Sequence, residues 1–414
     1  MLTEQPVFST LKKWLSVSGG TFHPSAHFQY AEASGNSVVA AEDIPADTTI
    51  VACPFSLVIT EELAQKNISK LISTDSVTDW TERQWISAYI CLHWLNMTTK
   101  APELEHYPYI ACLPASDQPM TPLHFTEPEL QAFKGSNIYQ ATIDRQREWR
   151  AEWQQCQSFI AGQNGEWGRK FTWDLYLAAA THISSRAFPS SLLDPNPTLV
   201  ASEDTKPVLL PGVDSLNHKR AQPVSWSVTF PNSNVELAAP ASGNRQPIIS
   251  LVLHTATATG DELLNNYGPK PNAELILGYG FSLPDNPDDT ILLKIGGIDK
   301  KWEVGREAQG AGAIWDELLQ VIQQDAGGDE QEDYETQMDT ADTLASMVQI
   351  LLEKLPTEEK IKGIEIRQEV KRMWKDYIRG QREILSSLLD FCQQKENEAI
   401  ELARSKGVDL VIEE

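Results

Sequence analysis

Leu210-Pro211-Gly212-Val213-Asp214-Ser215-Leu216-Asn217-His218 sets a tight turn, a carboxylate, an amide and an imidazole among buried-type apolar residues. Its approach, Val208-Leu209-Leu210-Pro211, reads as a buried entry into that turn. Downstream, Glu262-Leu263-Leu264-Asn265-Asn266-Tyr267-Gly268-Pro269 repeats the combination of amides, a turn and an aromatic ring. Asn272 to Tyr279 then predicts a short helix ending at Gly280, with Phe281 just beyond. Taken singly, Asn217 and His218 read better as turn caps, and Tyr267 and Tyr279 as core tyrosines with satisfied hydroxyls.

Working outward, Val38-Val39-Ala40-Ala41 and Thr49-Ile50-Val51-Ala52 are β-prone runs separated by the turn-forming Asp43-Ile44-Pro45-Ala46-Asp47. Val224 to Phe230 and Ile248 to His254 also read as strands, with a polar stretch rich in Pro, Asn, Ser and Gly between them. Between these strand regions the pattern is helical. Trp85, Ile86, Tyr89, Ile90 and Leu92 recur at helical spacing, Arg145 to Gln155 predicts a helix with a partly solvated face, and Leu175 to Ile183 an alanine-rich one. Trp149 and Trp153 are expected to pack in the core. From about residue 300 the character is wholly helical: one element over Trp315–Ile322, an acidic joint from Asp325 to Asp333, and a helix marked by Met347, Ile350, Leu351 and Leu355 and stopped by Pro356. The last helix carries Val370, Met373, Trp374, Tyr377, Ile378, Ile384, Leu385, Leu388, Leu389 and Cys392 as one apolar stripe.

A chain of 414 residues suggests two domains. A formal net charge of −24 disfavours direct binding to nucleic acid or anionic membrane and favours basic partners. The start Met1-Leu2-Thr3-Glu4-Gln5 does not read as a signal peptide, and no apolar run is long enough to span a bilayer. Five scattered cysteines with no Cys-x-x-Cys pair indicate neither a disulfide framework nor a cysteine zinc site, so a cytoplasmic or nuclear protein is expected. The Asn-x-Ser/Thr matches at Asn67 and Asn96 then read as chance. Phosphate-loop, dinucleotide, nucleophile-elbow and His-Glu-x-x-His motifs are all missing. Asp214, Ser215 and His218 lie too close together in sequence to converge as a hydrolytic triad, and the histidines do not fall at metal-ligand spacing.

Four segments in fixed order change the weight of the single motifs. Ser185-Arg186-Ala187-Phe188, Asp214-Ser215-Leu216-Asn217-His218, Tyr267-Gly268 with Asn272-Ala273-Glu274-Leu275, and Tyr279-Gly280-Phe281 resemble the SET-domain methyltransferases of the Rubisco large-subunit and ribosomal-protein lysine methyltransferase branch. Tyr107-Pro108-Tyr109-Ile110-Ala111-Cys112-Leu113-Pro114 with Thr121-Pro122-Leu123 is similar to the helical insertion of that branch. Tyr377-Ile378-Arg379-Gly380-Gln381-Arg382-Glu383-Ile384-Leu385 resembles the C-terminal substrate-binding domain of its fungal members. The resemblance implies an α+β fold: a SET domain of small sheets with a pseudoknot over residues 1–298, a helical insertion at about 62–170, and an all-α substrate-binding domain over 299–414.

It also implies a protein-lysine N-methyltransferase that uses S-adenosylmethionine and no metal, works as a monomer, and acts on a basic non-histone protein such as a ribosomal protein. Histidine methylation and a non-catalytic SET-fold binding module stand as alternatives, and product state and substrate identity stay open. By the same resemblance, Tyr267 is the catalytic tyrosine and also contacts the cosubstrate. Gly35, Asn36 and Ser37 offer backbone carbonyls to the cosubstrate amino group, Arg186 pairs with its carboxylate, Asn217 and His218 hold the adenine, and Phe281 packs on the ring. Ser185 and Asp214 present carbonyls to the substrate amine, and Trp226 and Tyr279 line the lysine channel. Ser37 departs from the family's usual glycine, and Trp226 from its usual tyrosine.

Overall fold

The computed structural model describes residues 4–31, 35–72, 79–97, 101–114, 120–200, 202–230, 246–325 and 333–408. Most of the expected acidic joint and of the polar stretch after Phe230 lies outside the described residues. In chain order the helices are α1 (Pro6–Val17), α2 (Glu61–Leu71), α3 (Glu82–Leu95), α4 (Tyr107–Ile110), α5 (Glu127–Gln131), α6 (Asn137–Gln163), α7 (Gly165–Lys170), α8 (Trp173–Arg186), α9 (Asn272–Tyr279), α10 (Ala311–Asp325), α11 (Asp333–Lys354), α12 (Glu358–Ile361) and α13 (Gln368–Ser405). The strands are β1 (Thr21–Phe22), β2 (Ala26–Ala31), β3 (Gly35–Ala40), β4 (Thr48–Pro54), β5 (Phe188–Pro189), β6 (Pro207–Val208), β7 (Asn217–His218), β8 (Val224–Thr229), β9 (Ile248–Leu253), β10 (Leu264–Asn265), β11 (Thr290–Leu293) and β12 (Trp302–Gly305). The chain divides into two compact units, Met1–Pro119 with Arg147–Pro269 and Met120–Gln146 with Lys270–Glu414. The expected boundary at 298/299 lies inside the second of these, between the paired strands β11 and β12.

The first unit is built from small sheets. One has the order β1-β4-β9-β8, and β2 with β3, β5 with β6 and β7 with β10 form two-stranded pairs. In β9 the residues alternate between half-buried and buried, as expected of a strand with one covered face. β4 is buried almost throughout and takes the central place. Helix α3 opens on a capping box, in which the Thr81 hydroxyl accepts from Gln84 N–H and the Gln84 side chain accepts from Thr81 N–H. It is apolar nearly all round and accordingly buried, packed against α8. Helix α8 starts at a Thr172 cap and buries Tyr176 to Ile183. Its end delivers Ser185 and Arg186, with the guanidinium at the negative pole of the helix. Trp149 is buried as expected, whereas Trp153 is half-buried and donates its indole N–H to the Phe171 carbonyl at 3.0 Å.

Two buried histidines make this unit acid-sensitive. His106 Nε2 lies 3.2 Å from the Leu57 carbonyl and Nδ1 2.8 Å from the Tyr89 hydroxyl, which itself donates to the Glu103 carbonyl at 3.0 Å. His93 Nδ1 donates to the Tyr89 carbonyl at 2.8 Å, while Nε2 is buried with no partner among the described residues. Burial lowers the His93 pKa to about 4 and, with His93 adding repulsion, that of His106 to about 3. Folded values below the unfolded value mean that the unfolded chain binds more protons as the pH falls. The stabilisation is complete above the unfolded pKa of about 6.5 and drains away below it. Unfolding free energy is expected to fall by about 2 kcal/mol between pH 6.5 and 5.5 from these two groups. Urea titrations across that window would show it, and a flat profile would refute it.

In the second unit, β11 and β12 form an antiparallel hairpin with Ile291 opposite Val304. This corrects the wholly helical expectation beyond residue 300. Trp302 and Val304 are buried β-formers alternating with exposed Lys301 and Glu303, a period-two signal too short to stand out beside the helices. The predicted α9 runs to Tyr279 and closes on Gly280 in the left-handed conformation (φ +80°). The α13 stripe is buried as expected except for a half-buried Leu389. In α11 the buried face is Ala341, Leu344 and Val348, and Ile350 is 51% exposed rather than inward. Two buried carboxylates fasten the elements of this unit. Glu129 accepts from the Arg367 guanidinium and backbone and from Thr126 N–H, and Asp289 accepts from the Asn272 backbone and amide. Gly380 lets α13 reach Asp289, since a Cβ there would lie 2.4 Å from the carboxylate.

Candidate functional site

The site in the first unit begins where two distant segments cross. β7 and β10 pair in parallel, with Asn217 opposite Leu264 and His218 opposite Asn265. Leu210, Val213 and Leu216 are fully buried and anchor the segment before β7; Gly212 makes the turn at φ +83°, where a side chain would be strained and would press on Leu15 and Val51. After β10, Asn265 Oδ1 accepts from Asn266 N–H (2.8 Å) and Asn266 Oδ1 from Gly268 N–H (3.0 Å). These side chains stand in for backbone partners and hold the turn around Tyr267.

Tyr267 is half-buried, not a core residue. Its hydroxyl donates to the Leu216 carbonyl at 2.9 Å, and its N–H donates to His218 Nδ1 at 3.0 Å. A backbone N–H can only donate, so a neutral His218 carries its proton on Nε2. The two rings stack, with centroids 5.0 Å apart and planes 28° from parallel. Tyr267 is thereby fixed by its ring, backbone and hydroxyl to the segment that carries Asp214.

Arg186 and Asp214 form a pair beside it. Arg186 Nη1 donates to Asp214 Oδ2 (3.2 Å) and to the Asp214 carbonyl (3.1 Å), and Tyr109 donates its hydroxyl to the same Oδ2 at 2.7 Å. The Asp214 side chain is 2% exposed and that of Arg186 24%. Burial opposes the guanidinium charge, but Asp214, with Tyr109 and Tyr267, outweighs it and raises the pKa of Arg186. Arg186 Nε is buried with no partner among the described residues. A buried donor left unmet is costly and marks a place where an acceptor would be welcome.

The other expected residues fall as follows. Ser185 turns its hydroxyl back onto the Thr181 carbonyl (2.9 Å). Its own carbonyl sits in the last turn of α8, and the residue four places on is Pro189, which has no N–H to offer the helix. Asn36 and Ser37 are on β3; the Asn36 carbonyl accepts from Asn217 Nδ2 at 3.3 Å, which ties that strand to β7. Gly35 takes φ +70°, whereas Ser37 is not among the residues with positive φ. The departure at Ser37 is therefore unstrained, and its hydroxyl donates to the Gln29 carbonyl across the hairpin at 3.3 Å. Trp226 lies on the edge strand β8, with its ring 6.3 Å from that of Phe188 in a T-shaped contact and its indole N–H buried and unpartnered among the described residues. Tyr279 and Phe281 belong to the second unit, where their rings meet edge to face at 6.2 Å, the Lys270 ammonium lies 5.8 Å over Tyr279, and burial raises the Tyr279 hydroxyl pKa.

Two residues of this network were not expected from the sequence. Glu262 accepts from Asn217 Nδ2 at 2.8 Å and holds that amide in place, and Tyr109 meets Asp214 from a helix that is distant in the chain. Glu262 heads the 262–269 segment, and Tyr109 sits in Tyr107-Pro108-Tyr109-Ile110, so both lay inside stretches that already stood out.

No family model matches the chain. "Ribosomal lysine N-methyltransferase set10" of Schizosaccharomyces pombe is 35% identical over 257 residues, covering 62% of this chain and 41% of that protein. "Protein-lysine N-methyltransferase EFM1" of Saccharomyces cerevisiae is 25% identical over 328 residues, covering 68% of this chain and 50% of that one. The chain thus spans half the length or less of these curated relatives. Among solved structures, the SET domain of LSMT bound to methyllysine and AdoHcy superposes with a TM-score of 0.70 at 17% identity, covering 97% of this chain and 94% of that one. The expected α+β SET fold is borne out.

Proposed function

We propose that this chain, a SET-domain protein of the Rubisco large-subunit and ribosomal-protein lysine methyltransferase branch, is an S-adenosylmethionine-dependent protein-lysine N-methyltransferase acting on a non-histone protein. The observation that carries the reading is the crossing of β7 and β10, which sets the Tyr267 hydroxyl on the Leu216 carbonyl next to the Arg186–Asp214 pair. The residues present fit the cosubstrate at one testable point, because the unmet N–H of Arg186 suits an added carboxylate. Bound S-adenosylmethionine supplies an electrophilic methyl group.

The chain's residues have to supply a neutral, aligned amine. A lysine with pKa near 10.4 is almost wholly protonated at pH 7 and is then no nucleophile. Entry beside the Trp226 and Phe188 rings removes water from the ammonium and favours its neutral form. Carbonyl oxygens of Ser185 and Asp214 and the Tyr267 oxygen can accept its remaining N–H groups and orient its lone pair. Because Leu216 already fixes the Tyr267 hydroxyl, that oxygen presents a constant direction, and positioning rather than covalent chemistry provides the acceleration. Asn36 and Ser37 would face the cosubstrate amino group, with Asn217 and His218 against the adenine.

A basic protein, with ribosomal proteins the leading class, a monomeric state and a cytoplasmic or nuclear setting belong to the same proposal. Lys-rich tails suit a chain of net charge −24. The test is to incubate the protein and methyl-labelled cosubstrate with a lysate of cells lacking its gene. A labelled basic protein that yields methyllysine on hydrolysis is expected. Methylhistidine would move the assignment to a histidine acceptor, and no label above a heat-treated control would leave a binding module.

A further inference from the structure

Tyr109 contributes nothing to the expected chemistry, yet it makes the shortest hydrogen bond of the site. It is 2% exposed and comes from the four-residue α4, far in sequence from the crossing strands. We infer that Tyr109 is a positioning residue for the cosubstrate carboxylate, acting through Asp214 on Arg186; this rests on the cosubstrate reading above. A guanidinium whose only task was to neutralise Asp214 would meet it through two parallel N–H···O bonds. Here Nη1 alone makes the contact, dividing itself between Oδ2 and the backbone carbonyl of the same residue, and Nε is left unmet.

The Tyr109 hydroxyl explains why that arrangement holds. It satisfies Oδ2 from another side at 2.7 Å, so the carboxylate makes less demand on the guanidinium. Burial, and next the Asp214 charge, push the Tyr109 hydroxyl pKa well above its usual value, so it remains a donor. Cys112 nearby is pushed up to about 12, by burial first and then by Asp214. Without the hydroxyl, the buried carboxylate would draw the guanidinium onto itself and away from a second anion.

The test compares S-adenosylhomocysteine, which has the carboxylate, with 5′-deoxy-5′-methylthioadenosine, which lacks the amino-acid portion, by calorimetric titration. Tyr109→Phe is expected to weaken the first by about tenfold, the scale of one hydrogen bond to a charged group, and to leave the second within about threefold. In an Arg186→Lys background, which keeps the charge and loses Nε, Tyr109→Phe should add less than about threefold to the loss for S-adenosylhomocysteine. Equal weakening of both nucleosides, full additivity with Arg186→Lys, or a variant that no longer melts cooperatively would make Tyr109 a fold residue and overturn the inference. Wild type that binds neither nucleoside would instead overturn the cosubstrate reading on which it stands.

Discussion

Replacing Tyr267 with Phe is expected to lower the methyl-transfer rate by about a hundredfold or more, the scale seen when one oriented polar group is removed from a transition state. The ring stack on His218 and the backbone bond to its Nδ1 do not involve the hydroxyl and should survive. What is lost in the folded protein is the donation to the Leu216 carbonyl, worth about 1 kcal/mol. Tyr267 is half-buried, so even that loss is cushioned by water. A scaffold tyrosine would therefore show a small drop in stability and an almost unchanged rate. A catalytic one would show the same small drop with the rate collapsed. The comparison needs kcat at saturating cosubstrate, with a melting curve and a binding isotherm on one preparation. A rate within about threefold of wild type would leave Tyr267 as scaffold.

The legible parts of this molecule are those in which one short stretch carries its own physical signal. The buried entry Val208–Leu209–Leu210 into its turn, the helix over Asn272–Tyr279 with its Gly280 stop, and the α13 stripe each carry a local apolar pattern or stop signal. The β11–β12 hairpin leaves little trace in the sequence, because four-residue strands carry two alternations at most beside long helices. In α11 Met347 and Leu351 pack partly buried against the core while Ile350 faces solvent, and Ala341, Leu344 and Val348 take the most buried side; the low hydrophobicity of Ala341 leaves that side faint in the sequence.

For the site, order in the sequence exposed the participants and geometry alone exposed their partners. Asp214 and Arg186 both stood out as motif residues, 28 positions apart, but nothing in that spacing says that they touch. Tyr109 lies 105 positions from Asp214, and only the fold brings the hydroxyl onto the carboxylate. At Ser37, which replaces the family's usual glycine, the backbone φ is not positive; the positive value is at Gly35, two residues earlier.

That pairing also changes what Arg186→Ala should do. Seen as a cosubstrate contact alone, the arginine would be lost at the expense of affinity and nothing else. In the structure its removal strips a carboxylate with a 2% exposed side chain of its counter-charge, leaving only the Tyr109 hydroxyl. Breaking one side of a buried pair costs roughly 3–5 kcal/mol of stability, and the 24% exposure of the Arg186 side chain places this pair at the lower end. Arg186→Ala is therefore expected to melt well below wild type as well as to bind S-adenosylmethionine more weakly. The binding loss should be about thirtyfold or more, corresponding to about 2 kcal/mol or more for a hydrogen-bonded charge pair. The two effects separate in the variant Arg186→Ala with Asp214→Asn. Neutralising the stranded carboxylate should restore most of the melting temperature and none of the affinity, since the neutral pair still lacks a cation for the ligand. Should Arg186→Ala bind the cosubstrate as tightly as wild type, the arginine serves Asp214 alone and the carboxylate must be held elsewhere.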